Sequence, residues 1–474
     1  MAIACLIVGL ATDGPDDTIL KLNTDRDLVR TYGGNYIDRQ TITAAATSLS
    51  LDFEPWVLPQ NRVNSIRNYL YAPASSGTLL VFGNIGGSGS HTVDLIYDPY
   101  LGQSDLLYAA RRYLETTGRS PYTLRLAGAY ARLNYGGWAV TARYSGSKYN
   151  NVTFTLNSTG LQVGGLEPTY PILKYTFTTS GTWAGQFERD SALGLSPIRV
   201  EAIGSYLGSL TTALTGGTNG SFTTAALTTL FDGWSPPIDV THVLILTPAT
   251  SALVDLIYQD MQNGTSQPRL YLLPAPTYSS PASSYLSAIQ TTLPERLNMI
   301  SLVIGDITSN VKGVLNVRYS AEEVLTGLVR RAGFNLTNTP VLAEDFTPVL
   351  TETELNSCIA NGVIPLMRYI GNDVAVYQGC VSSADVSYLY SAKIAEIFSL
   401  ARKYFAPFLG QPMTQGEHPE LATELSNILQ AITFMQVDRV DVGVDLDAVL
   451  VAVQATLPTE VLAISFTIKN KPGA

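Results

Sequence analysis

Three histidines, His91, His242 and His418, are the only side chains whose ordinary pKa lies near neutrality. None has a second histidine or a cysteine at ligand spacing, so no zinc site is expected. His242 sits in the apolar run THVLIL and reads as a structural residue rather than a base. Cys5, Cys358 and Cys380 lie far apart with no Cys-x-x-Cys pair; they read as small buried hydrophobes in a protein that folds under reducing conditions. There is no Gly-x-Ser-x-Gly elbow and no Walker loop. The best lead toward chemistry is the run from Gly83 through Gly86, Gly87 and Gly89 to His91, which follows an apolar strand at 78–82. Backbone N–H groups of such a turn can cradle phosphate. Here the Walker lysine is missing, the glycine spacing is wrong for a dinucleotide loop, and HTVDLIYDPY reads as a strand rather than the required helix. A surface loop is the better reading. Asp438, Asp441, Asp445 and Asp447, with Glu417, Glu420 and Glu424, make 411–460 strongly acidic around a single Arg439. The calcium-loop spacing D-x-[DN]-x-[DN]-G is absent, which leaves a solvated or partner-facing acidic face. No catalytic residue, cofactor or metal ligand is expected.

The elements that would position any site fall into distinct textures. Residues 3–11 read as a buried strand rather than a signal peptide, because no basic segment precedes the apolar run and Asp13-Gly-Pro-Asp-Asp ends it. Thr24 or Asp25 caps a helix that stops at Tyr32-Gly33-Gly34. SDLLYAARRYLE at 104–115 has a helical apolar face, and strand 122–126 follows. From about 129 to 200, short alternating segments between Gly, Asn and Ser clusters predict a small antiparallel β domain. Beyond the loop at 215–220, strands at 242–246, 269–273 and 299–304 alternate with helices at 251–263 and 283–293, implying a mostly parallel sheet. Helices are expected at 352–361, 388–405 and about 419–432, with a hairpin-like pair around Gly371-Asn372. The last strand, 461–469, alternates strictly: Leu462, Ile464, Phe466 and Ile468 face one way. Pro458, Thr459 and Glu460 separate it from what precedes and are the expected hinge of an inter-subunit linking segment, 459–474.

At 474 residues the chain is too long for one core. Only 14% of residues are charged, consistent with a surface that meets other protein or is rich in Ser and Thr. A net charge of −10 argues against non-specific nucleic-acid binding, and no run is long and apolar enough to cross a membrane.

The chain opens with IVGLATDGPDDTILKLNTDRDLVRTYGG, followed by ARRYLETTGRSPYTLRLAG and GGWAVTARYSGSKYNNVTFTL with its Gly-x-x-x-Asn-Asn. It continues through LTGGTNGSFTTAALTTLF, AEEVLTGLVRRAGFNLTNTPV and LNSCIANGVIPLMRYIGNDVAVYQG. In these segments and their order the sequence shows a resemblance to the contractile phage tail sheath proteins. The resemblance covers most of the chain, with 35–100 longer and more irregular than the family pattern. It implies a mixed α/β and α+β multidomain fold. In that arrangement 1–125 and 345–474 form the core domain, with 35–100 an insertion; 126–200 is an inserted β domain and 201–344 an inserted α/β domain. It also implies a non-enzymatic structural subunit that polymerises as stacked six-fold rings around a tail tube and shortens on triggering. Its partners would be other copies, the tube protein, and baseplate and terminator proteins, in a virion assembled in the host cytoplasm. The alternatives are an α/β enzyme for a phosphorylated small molecule and a surface-array or adhesin protein, the latter lacking the expected export signal.

Overall fold

The computed structural model describes residues 4–11, 13–32, 37–44, 79–82, 89–97, 105–164, 172–177, 182–193, 195–204, 208–262, 268–292, 299–311, 314–330, 336–369, 373–381, 388–408, 415–433, 435–445, 448–456 and 461–469. Along the chain, β1 (Ala4–Gly9) and β2 (Leu20–Lys21) precede α1 (Asp25–Tyr32). Next come β3 (Ile37–Ala44), β4 (Leu79–Phe82), β5 (Gly89–Tyr97), α2 (Asp105–Thr117) and β6 (Tyr122–Arg125). They lead to β7 (Arg132–Tyr135), β8 (Trp138–Ala142), β9 (Thr153–Asn157), β10 (Gly160–Gly164) and β11 (Leu173–Thr176). Then follow α3 (Thr182–Ala192), β12 (Ile198–Ala202), β13 (Leu210–Ala213), α4 (Thr224–Asp232) and β14 (Val240–Ile245). The series goes on through α5 (Ser251–Gln262), β15 (Leu270–Pro274), α6 (Ala282–Thr292), β16 (Ile300–Val303) and β17 (Asp306–Val311). After these lie β18 (Val314–Tyr319), α7 (Ser320–Arg330), β19 (Pro340–Val341), β20 (Asp345–Thr347) and α8 (Glu352–Ala360). The last third holds β21 (Val363–Ile364), β22 (Leu366–Arg368), β23 (Val374–Val376) and α9 (Tyr388–Phe405). It closes with β24 (Gly416–Glu417), α10 (Pro419–Thr433), β25 (Gln436–Asp445), β26 (Ala448–Thr456) and β27 (Val461–Lys469).

A seven-stranded sheet in the order β2-β6-β1-β14-β15-β16-β21 organises the centre; only the two-residue β2 runs antiparallel. Helices cover both faces, which is why β14, β15 and β16 are buried at every residue and read as unbroken apolar runs. On one face Cys5 and Ile7 pack with Leu106, Leu325, Ile364 and Tyr388. On the other, Leu6 and Val8 pack with Leu227, Leu253, Leu286 and Cys358. Helix ends are closed by side chains and backbone, at Thr24 as anticipated. Thr24 accepts from the N–H of Asp27, Thr351 and Glu354 form a capping box, and Gly118, at φ 64°, donates its N–H to the Leu114 carbonyl after α2.

This sheet corrects the expected division. Residues 201–344 do not stand apart as an inserted α/β domain: β1 pairs with β14 from Ala4↔Val240 to Val8↔Ile245, so the N-terminal strand lies in the same sheet as β14, β15 and β16. Local pattern reveals a parallel strand but not its neighbour, which here lies more than two hundred residues away. The β unit also runs past 200, because β13 pairs with β9 and Arg132 bridges to Thr215. Its two sheets, β12-β8-β7 and β11-β10-β9-β13, enclose a core around Trp138, Tyr149, Phe154 and Phe187. Within 35–100, three strands form the sheet β3-β5-β4; HTVDLIYDPY supplies β5, as expected, and Gly83 to Ser88 lie outside the described residues.

Candidate assembly edge

The strand singled out at the end of the chain is β27, with the bounds the alternation gave. It pairs antiparallel with β26 over all nine residues, from Ala448↔Lys469 to Thr456↔Val461. Leu462 and Ile468 are buried, Ile464 and Phe466 half-buried, and the Phe466 ring lies 4.8 Å from that of Phe398 on α9. The apolar face that looked free in sequence therefore covers its own core, built with Ile397, Ala401 and Phe405 of α9 and Leu425 and Leu429 of α10. Ala463 and Ser465 on the opposite face are exposed.

The sheet order is β24-β25-β26-β27, so β27 is an edge strand. Among the described residues nothing pairs with its outer side, where about half of its N–H and C=O groups point. The other edge is open as well. β24 covers β25 only at Gly443 and Val444, and the His418 N–H adds one bond to the Val442 carbonyl (2.8 Å). On that outer side, away from β26, Gln436 to Asp441 are left without a neighbouring strand among the described residues. A groove of about 950 Å³ extends from this edge across to β27, lined by Thr423, Asn427, Asp438, Asp441, Leu450 and Ser465 among others. Three of the acidic residues noted in sequence, Glu417, Asp438 and Asp441, thus line this groove, exposed, with Arg439 held by Asp441 at 2.8 Å.

The remaining candidates are placed as follows. Pro458, Thr459 and Glu460 lie outside the described residues. His91 is opposite Ile42 in the β3–β5 pairing, and His418 Nδ1 sits 2.9 Å from Glu420. His242 is 1% exposed; burial, helped by the nearby Lys393 ammonium, lowers its pKa to about 3, so it is neutral at physiological pH. Burial raises the thiol of Cys5 to about 12, of Cys358 to about 11 and of Cys380 to about 12. Such thiols are not nucleophiles at neutral pH. In a doubly wound sheet, ligands bind where strand order reverses, here between the C-terminal ends of β1 and β14. That crevice is filled: a Cβ on Gly9 would meet Leu246 Cδ1 at 2.9 Å and Leu106 Cβ at 3.0 Å.

Sequence reading did not find the seam that holds the β unit to the central sheet, although it quoted both motifs that build it. Asn150, from Gly-x-x-x-Asn-Asn, donates through Nδ2 to the Gly217 carbonyl (2.9 Å) and accepts the Gly217 N–H (2.8 Å). Gly217, from Gly-Gly-Thr-Asn-Gly, has the Gly146 carbonyl where a side chain would stand.

No protein-family model matches the chain, and no curated protein matches it in sequence. Solved structures do. A sheath tail protein from Desulfitobacterium hafniense superposes with a TM-score of 0.55 at 13% identity, covering 99% of this chain and 97% of its own. A sheath tail protein from Listeria innocua gives 0.55 at 13% identity, covering 99% and 95%. In fold, along nearly its whole length, the chain is similar to the sheath tail proteins.

Proposed function

We propose that this chain is a non-enzymatic subunit of a contractile tail sheath. It polymerises as stacked six-fold rings around an inner tube and shortens to drive the tube into a target. The observation that carries this reading is the likeness to two sheath tail proteins over essentially the full length of all three chains. The open-edged C-terminal sheet adds a physical means. β27 links to a neighbouring copy through its outer edge, by main-chain hydrogen bonds, while its apolar face stays in its own core. A contact of this kind between different surfaces does not close on itself and builds filaments. Neighbouring copies, the tube, and baseplate and terminator proteins are the partners, and the virion tail is the place of work. Negative-stain microscopy of the purified protein tests the class: tubes of uniform width are expected at high protein concentration, and persistent monomers with a saturable small-molecule ligand would overturn it.

A further inference from the structure

Two joints tie smaller units to the seven-stranded sheet, and they are built differently. At the joint with the β unit, Arg125 is fully buried. It donates to the carbonyls of Ala11 (2.9 Å), Gly14 (2.8 Å) and Ser145, and to the Asp16 carboxylate. Asp16 also accepts the N–H (3.1 Å) and hydroxyl (2.7 Å) of Ser145, and Asp13 accepts the Tyr149 hydroxyl (2.7 Å). With the Asn150–Gly217 pair, the polar groups of this seam are matched one to another. Satisfied buried networks are stiff, since moving any member strands the rest.

The second joint is α9. Tyr388 and Ala392 of its first turns belong to the core under β1, whereas Ile397, Leu400, Ala401 and Phe405 belong to the separate core of the C-terminal sheet. Between them, Lys393, Glu396 and Ser399 recur every three residues on the side facing β14, each less than a tenth exposed. Lys393 Nζ bonds Glu396 at 2.7 Å and the Ser399 hydroxyl bonds the Ile238 carbonyl at 2.7 Å. Opposite stands His242, whose Nδ1 lies 2.9 Å from the Thr241 hydroxyl; among the described residues its Nε2 has no hydrogen-bond partner, and neither has the Ser391 hydroxyl. A helix on a parallel sheet ordinarily buries hydrocarbon. A buried ion pair roughly breaks even against its desolvation, and each unsatisfied group is a cost. Parting this face therefore loses little, while the apolar cores on either side stay intact.

We propose that residues 388–469 form a separately docked body that pivots about the first turns of α9, while the β unit is fixed to the central sheet. Spin labels on introduced cysteines test this in the free protein, since the three native thiols are buried. Tyr258→Cys on α5 is paired either with Leu450→Cys on β26 or with Leu193→Cys beside α3, all exposed positions. Pulsed dipolar spectroscopy should give a distance distribution at least about twice as wide for 258–450 as for 258–193. Combining His242→Leu, Lys393→Met and Glu396→Met should narrow the first to the width of the second. Equal widths in the otherwise unaltered chain overturn the proposal, whether or not the triple variant folds. A wide 258–450 distribution that persists in a folded triple variant also overturns it.

Discussion

Glu322 has a carboxylate with both oxygens buried and, among the described residues, neither accepting a hydrogen bond. The nearest cation is Arg318, its Nε 3.5 Å away, but Arg318 also bonds Asp105 at 2.7 Å and lies over the Tyr108 ring. The adjacent Glu323 is committed to Arg112 at 2.8 Å. Burial pushes Glu322 up from 4.5 to about 7; Arg318 opposes the rise, and Asp105 and Glu323 add to it. The folded state thus holds a proton that the unfolded chain has already given up. Stability falls as pH rises from the unfolded value through the folded one, and above that window the loss is complete, on the order of 3 kcal/mol. Glu322→Gln cannot ionise, so its unfolding free energy should change less between pH 5 and pH 8 by about that amount. Urea titrations of both proteins at the two pH values measure it, and parallel pH dependences would show that Glu322 stays ionised when folded.

At the scale of elements, Arg125 at the end of β6 shows what a seam is worth. Arg125→Met keeps the side chain's bulk but leaves Asp16 and three carbonyls without their donor, a loss of about 3–5 kcal/mol for breaking a buried pair from one side. Chemical denaturation should register it as a lower midpoint. A change below about 1 kcal/mol would mean that water replaces the guanidinium. This arginine was not legible beforehand, because YTLRL reads as a strand whichever partner its cation finds. What was legible was local. The run of apolar residues in β14 and β15, the stripe of α9, and the alternation of β27 each encode their own period, and the structure has them within one or two residues of expectation. The polar run IDRQTITA of β3 is a strand only because β5 pairs with it, so its pattern carried little signal. Domain assignment failed for the same reason: β1 is a buried strand in any sheet, and only the register with β14 says which one. The glycine motifs were visible as motifs, but the close approach of 146–150 to 215–220 that requires them exists only once the chain is folded.

For the whole molecule, the filled crevice between β1 and β14 and the two open edges of the C-terminal sheet weigh in one direction. The place where a doubly wound enzyme would hold its ligand is packed with Leu106 and Leu246, and the C-terminal sheet leaves the outer side of β27 unpaired among the described residues. Testing that sheet needs care, because deleting 459–474 removes more than a link. It strips Leu462 and Ile468 from a core that also holds Val449, Val451 and Val453, and burying one such side chain is worth about 1.5–3 kcal/mol. The truncated protein should unfold several degrees earlier and form no tubes, an outcome that an assembly role and a purely structural role share. Charge on the edge separates the two. Ala463→Lys with Ser465→Lys puts two ammonium groups on exposed positions of β27, leaves its apolar face in place, and uses the device by which natural edge strands repel further pairing. The variant should match the unaltered protein in thermal midpoint to within a few degrees yet fail to polymerise, scored by sedimentation and microscopy. Raising the salt concentration should recover part of the assembly, since exposed charges are screened over roughly 8 Å at physiological ionic strength and about 3 Å at 1 M. Tubes of ordinary width and yield from the lysine variant at low salt would mean that β27 serves only its own sheet, and that copies of the chain join through a different surface.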